Sequence, residues 1–230
     1  SVASRGLGDV YKRQQVYKEL NANAFSEVYV ARGFFDQRYY KDGSMEGPGN
    51  YRDSSEFKKT AEEEGINFII LDDYKKISNN LYATGTVERV VEKYNGPKGF
   101  YLDKDLTIPD IIRDDQSVGM LTDNGWIMMS GCGHSGIINT AMKLQSIKNE
   151  PVYGAIGGFH LFKASDNTIS TTANWLKNNG LTKFMGGHCT GIYAAETIAD
   201  IVGITRENLS HTAIGSVLTK ELKIIRSSVE

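Results

Sequence analysis

Apolar and polar positions change rhythm about halfway along this chain. Two short apolar runs, 118–122 and 126–130, flank Asp123-Asn124-Gly125, and that spacing predicts a tight β-hairpin. Beyond it the pattern becomes helical and then alternates. Ile137, Ile138, Ala141, Met142 and Leu144 give a first helix one apolar side. A second helix is expected over about 168–179, entered by Asp166-Asn167 and closed by Gly180. Ile192, Ala195, Ile198, Ile201 and Val202 line a third, closed by Gly203. The apolar runs 151–156 and 182–185 lie between these helices and read as strands. Strand and helix in alternation predict an α/β fold, with a largely parallel sheet and covering helices in the C-terminal half.

The first half is less regular. Residues 27–31 read as a short strand, 54–65 as a helix stopped by glycine, and 67–71 as the strand that follows. Residues 81–91 alternate weakly around Gly85, which predicts a strand with a bend. Between 32 and 55 the chain is polar and aromatic, with Phe34, Phe35, Tyr39, Tyr40 and Tyr51 crowded together. Two readings stand for it: a substrate-facing lid, or a surface loop pinned by its aromatic rings.

At 230 residues the chain suits one domain with one sizeable core. No apolar run approaches the roughly 20 residues of a membrane span. A net charge of −2 without a basic stripe argues against a nucleic-acid footprint. The two cysteines, Cys132 and Cys189, form no spaced disulfide framework, which suits a reducing, cytoplasmic setting; the expected partner is a small-molecule substrate. Residues 1–14 carry Arg5, Lys12 and Arg13 but no apolar core. They read as an adapter-like, non-native leader ahead of a single domain over 15–230, with a natural polar arm as the alternative.

Three of the four histidines share a context: an apolar run, a glycine turn, then imidazole. They are His134 after Gly131-Cys132-Gly133, His160 after Gly157-Gly158-Phe159, and His188 after Gly186-Gly187. In open α/β sheets, ligands gather beyond the carboxyl ends of the strands. His134 and His188 also precede helices, whose positive ends favour the neutral, metal-binding imidazole. The simplest chemistry that brings neutral imidazoles together is metal binding, so the expectation is a metal held by His134, His160 and His188. Ser135 and Thr190, at helix starts, are candidates for binding an anionic substrate group, against ordinary helix capping. His211 lacks the strand–glycine context and reads as structural.

The segments Gly131-Cys132-Gly133-His134-Ser135-Gly136-Ile137-Ile138-Asn139, Gly157-Gly158-Phe159-His160-Leu161 and Gly187-His188-Cys189-Thr190-Gly191 resemble the later motifs of metallo-β-lactamase-fold proteins. The nearest branch is similar to that of the methanopterin-pathway dihydropterin synthase. Asp114-Asp115-Gln116 also matches it, and the likeness is specific over 114–215. The resemblance implies a two-sheet αββα sandwich, one or two divalent metal ions, zinc first, with an open fourth position on His134, His160 and His188, and metal-assisted hydrolysis or a related transfer. In it His134 corresponds to the third-motif ligand and His188 to the last, while His160 stands where many members have a bridging aspartate. The leading H-x-H-x-D-H motif of the family is absent from the 230 residues. The expectation is therefore a reading frame truncated at its N-terminus, with weak metal binding and little turnover. Two other readings stay open: a thiol enzyme using Cys132 or Cys189 with a histidine base, and a non-catalytic binding protein.

Overall fold

The computed structural model describes residues 26–46, 53–93, 99–213 and 215–226. The proposed leader over 1–14 and Tyr51 lie outside these residues. In chain order the elements begin with β1 (Glu27–Ala31), β2 (Arg38–Tyr40), β3 (Met45–Glu46), α1 (Ser54–Glu63) and β4 (Asn67–Leu71). Next come β5 (Lys75–Lys76), β6 (Leu81–Ala83), β7 (Phe100–Tyr101), β8 (Ser117–Thr122) and β9 (Gly125–Ser130). The C-terminal half then runs α2 (Ile137–Ile147), β10 (Val152–Gly157), α3 (Asp166–Asn178), β11 (Lys183–Gly186), α4 (Ile192–Val202) and β12 (Leu209–His211). A small hairpin of β13 (Val217–Leu218) and β14 (Ile224–Ile225) follows.

A seven-stranded mixed sheet, ordered β12-β11-β10-β9-β8-β6-β5, organises the molecule. Strands β9 to β12 are mutually parallel, and β8, β6 and β5 extend the sheet by antiparallel pairing. Trp126 and Met128 of β9 and Phe184 of β11 meet Ile138, Ala141 and Leu144 of α2, Ile169 and Leu176 of α3, and Ile198 of α4. The three helices thus cover one face of the sheet. β1 pairs in parallel with β4, and Val28, Val30, Phe34 and Phe57 form a second, smaller core there. The Gln116 amide donates to the Tyr29 carbonyl and ties this pair to the start of β8.

Several local expectations shift. The hairpin turn holds only Asp123 and Asn124, because Gly125 already pairs with Thr122 as the first residue of β9. Helix α3 starts two residues before the expected position: Ser165, not Asp166-Asn167, caps it, its hydroxyl accepting from the Thr168 N–H. The expected strand over 81–91 ends at Ala83. Gly85 turns the chain there at a φ of 61°, packed so closely on Asp73 that a Cβ would lie 2.3 Å from its carbonyl oxygen. Of the two readings for 32–55, the aromatic anchor fits the described part. Phe34 and Phe35 pack against Phe57 of α1 and Phe68 of β4 in tilted and edge-to-face contacts, at 5.0–6.4 Å between ring centres.

Candidate metal centre

Because β9, β10 and β11 run parallel, the turns that follow them emerge at one edge of the sheet. The first turn carries Cys132 and His134, the second His160, the third His188 and Cys189. These turns cross backbone against backbone. A Cβ on Gly157 would lie 1.9 Å from the Ser130 oxygen, and one on Gly158 would lie 2.4 Å from the Gly131 oxygen and 2.9 Å from the Cys189 sulfur. Glycine is required by space, and at Gly157 also by a φ of 117°. His160 and His188 themselves adopt left-handed backbone, at φ of 50° and 49°, which is uncommon outside glycine although histidine enters it more readily than most residues.

The three histidines reach the same edge but divide there. His134 and His160 face each other with ring centres 4.4 Å apart, and Phe162 meets the His160 ring edge-on at 5.4 Å. His188 is exposed, and its Nε2 lies 3.0 Å from the Cys132 sulfur. Cys189 takes the His160 N–H at 3.3 Å and lies 3.0 Å from the Cys132 carbonyl oxygen. Among the described residues, Cys132, His188 and Cys189 are the metal-ligating set whose donor atoms fall within 4.8 Å of one another.

Burial, and then the neighbouring His160, pushes the His134 pKa down to about 4, with Asp114 opposing the shift. Its imidazole is neutral at ordinary pH, the form that ligates a cation. The two neighbouring thiols perturb each other, which pushes the Cys189 pKa down and the Cys132 pKa up.

Ser135 and Thr190 are buried, and both hydroxyls are spent on fastening turns. The Ser135 N–H donates to the Asp115 carboxylate at 2.8 Å and its hydroxyl to the Asp115 carbonyl at 3.3 Å. Thr190 donates to the Gly157 carbonyl at 3.0 Å and accepts from the Phe159 N–H at 3.1 Å. Neither caps its helix; the capping positions are Gly136 and Gly191. His211 sits on β12 with Nδ1 3.2 Å from the Gly186 carbonyl, as a structural residue would.

The roles of three residues emerge only in the structure. Asp115 holds the His134-Ser135 turn from below, and burial raises its pKa. Glu92 supplies the missing cap of α2, its carboxylate accepting from the Ile138 N–H at 2.6 Å and the Asn139 N–H at 3.3 Å. Asn139 locks that arrangement: it accepts from the N–H groups of Val90, Val91 and Glu92 and donates to the carbonyls of Glu92 and Ser135. Asp114 belongs to a buried ionic knot with Arg38 and Asp110.

This architecture is the metallo-β-lactamase fold. A crystal structure of a metal-dependent hydrolase of the β-lactamase superfamily superposes with a TM-score of 0.61 and 23% identity, covering 76% of this chain and 65% of that one. In sequence, the chain is similar to the dihydropterin synthase-like branch of that fold. It is 33% identical over 143 residues to 7,8-dihydropterin-6-methyl-4-(β-D-ribofuranosyl)-aminobenzene-5′-phosphate synthase of Methanocaldococcus jannaschii, covering 60% of this chain and 48% of that protein. An uncharacterized protein of the same organism is 31% identical over 135 residues, covering 57% and 48%. The chain thus spans about half the length of the curated relatives it matches. No family model matches.

Proposed function

We propose that this chain carries part of the metal site of a hydrolase or related transferase of the metallo-β-lactamase superfamily, acting on a small molecule. His134, His160 and His188 are the residues that would hold a divalent ion, zinc first. The observation that carries this reading is the close facing of His134 and His160 on the sheet edge that also presents His188. The donors suit such an ion: a neutral imidazole at His134, a second ring beside it, and an exposed third. When bound, a divalent ion supplies Lewis acidity toward the bond under attack.

The chain's own residues do the positioning. Asp115 fixes the turn that aims His134, and the Thr190 hydroxyl fixes the turn leading to His160. His160 and His188 both sit on left-handed backbone within their turns. The thiol-enzyme alternative has one observation in its favour, the short Cys132–His188 contact. Against it, no carboxylate hydrogen-bonds His188 among the described residues, so the imidazole lacks the orienting partner a catalytic base uses.

The test is metal content. After stripping and reloading with zinc, the full chain is expected to retain metal, and His134→Ala and His160→Ala to bind at least about tenfold more weakly. Unchanged metal binding in both variants would sink this reading. Turnover of phosphoester and lactam test substrates is expected to be low, since the H-x-H-x-D-H ligands are not in this sequence.

A further inference from the structure

The two cysteines belong to no part of the histidine reading, yet they sit at its edge in an arrangement with its own chemistry. We propose that Cys132, Cys189 and His188 form a thiolate site for a zinc-group metal ion. It shares only His188 with the histidine set and does not depend on His134 or His160.

Geometry comes first. The three donor atoms lie within 4.8 Å of one another, with the Cys132 sulfur and His188 Nε2 at 3.0 Å. Tetrahedral zinc, with Zn–S near 2.3 Å and Zn–N near 2.0–2.1 Å, spaces its ligand atoms by about 3.5–3.8 Å. The Cys132–His188 pair has to open by about half an ångström to reach that spacing, and the other two pairs start within 4.8 Å.

The donor set is also chemically selective. Two sulfurs and one imidazole favour zinc-group ions and copper(I) over magnesium, calcium and manganese, which prefer oxygen. The His160 N–H already points at the Cys189 sulfur, and such an outer hydrogen bond steadies a metal-bound thiolate. Rigidity follows from the glycine crossings, which put the backbone of the second turn directly against Cys189. His188 already presents its Nε2 to the Cys132 sulfur. Access is open too, because His188 is exposed and both cysteines are only partly buried, leaving a fourth ligand position toward solvent.

Cadmium is the probe, because thiolate-to-cadmium charge transfer absorbs in the near ultraviolet and imidazole or carboxylate ligation does not. Titrated into the fully reduced chain, Cd²⁺ is expected to give a saturable charge-transfer band and to slow alkylation of both cysteines by at least about tenfold. Cys132→Ser and Cys189→Ser should each remove roughly half of the band and weaken cadmium binding by about tenfold or more. His134→Ala should keep the band intact. Cadmium bound without a charge-transfer band, or alkylation at an unchanged rate, would overturn the proposal, and neither readout needs a variant to fold. The two failures separate cleanly. A full band beside histidine variants that lose no metal condemns the histidine reading alone, and metal lost in those variants without any band condemns the thiolate site alone.

Discussion

Glu92 is a carboxylate kept in surroundings that favour its neutral form. Burial raises its pKa from 4.5 to about 7, although two backbone N–H groups of α2 oppose the shift. An unfolded chain releases this proton in the ordinary carboxylate range, while the folded chain holds it to about 7. The folded state therefore binds the extra proton between those values, and stability falls as pH rises through that window, then levels off. The slope is at most about 1.4 kcal/mol per pH unit. Glu92→Gln, whose amide oxygen still accepts from α2, should flatten this slope in urea unfolding at pH 5, 6 and 7.5; an unaltered slope would assign it to another group. Asp115 gives a second prediction at this scale, which rests on the histidine reading. Asp115→Ala should weaken zinc binding by about 10–100-fold by freeing the turn that carries His134, as measured by competition with a chromogenic chelator. The histidines were legible in the sequence because each announces itself within a few residues. The roles of Glu92 and Asp115 were not, although Asp115 stood in a matching segment, because their partners lie 46 and 20 residues away and nothing local marks the pairing. The same holds for Cys132 and His188, 56 residues apart: each was a visible candidate, but not their contact.

At the scale of elements, the strand–turn–helix units of the C-terminal half read correctly because apolar periodicity and glycine stops agreed there. Between 81 and 91 they did not. A weak alternation competed with Gly85, and close packing on Asp73 decided for a turn. The start of α3 was misplaced because Ser165 and Asp166 are both good capping residues and only geometry selects the first. The same reasoning yields a prediction at Gly157. Alanine there meets both a φ of 117° and the Ser130 carbonyl oxygen. Gly157→Ala should cost at least about 2 kcal/mol and disturb the pairing of β9 with β10. Urea midpoints compared with Gly43→Ala check this, because Gly43 also has positive φ but nothing within 4 Å of its would-be Cβ. Equal losses in the two variants would reduce the effect to backbone strain alone.

Across the whole molecule, two cores of unequal size share one chain. The larger joins the main sheet to α2, α3 and α4; the smaller rests on Val28, Val30, Phe34 and Phe57. Local stability follows buried apolar contact, so amides of β1 and β4 should exchange with solvent through openings smaller than global unfolding. Those of β9, β10 and β11 should exchange only with global unfolding. Hydrogen-exchange mass spectrometry under native conditions resolves the two, and identical exchange free energies would show one cooperative unit. No helix among the described residues is long and apolar enough to cross a membrane. The crossed glycine turns carry a consequence for how such a site can be altered. Each of the three turns fills the space that any side chain on its neighbour would need, so they behave as a single interlocked part. A loop transplanted from a relative would arrive with the wrong partners on both sides, and a library that varies one turn at a time would mostly sample broken sites. Redesign of this edge therefore has to exchange all three turns together, or leave them alone and work on the outward-facing residues around them.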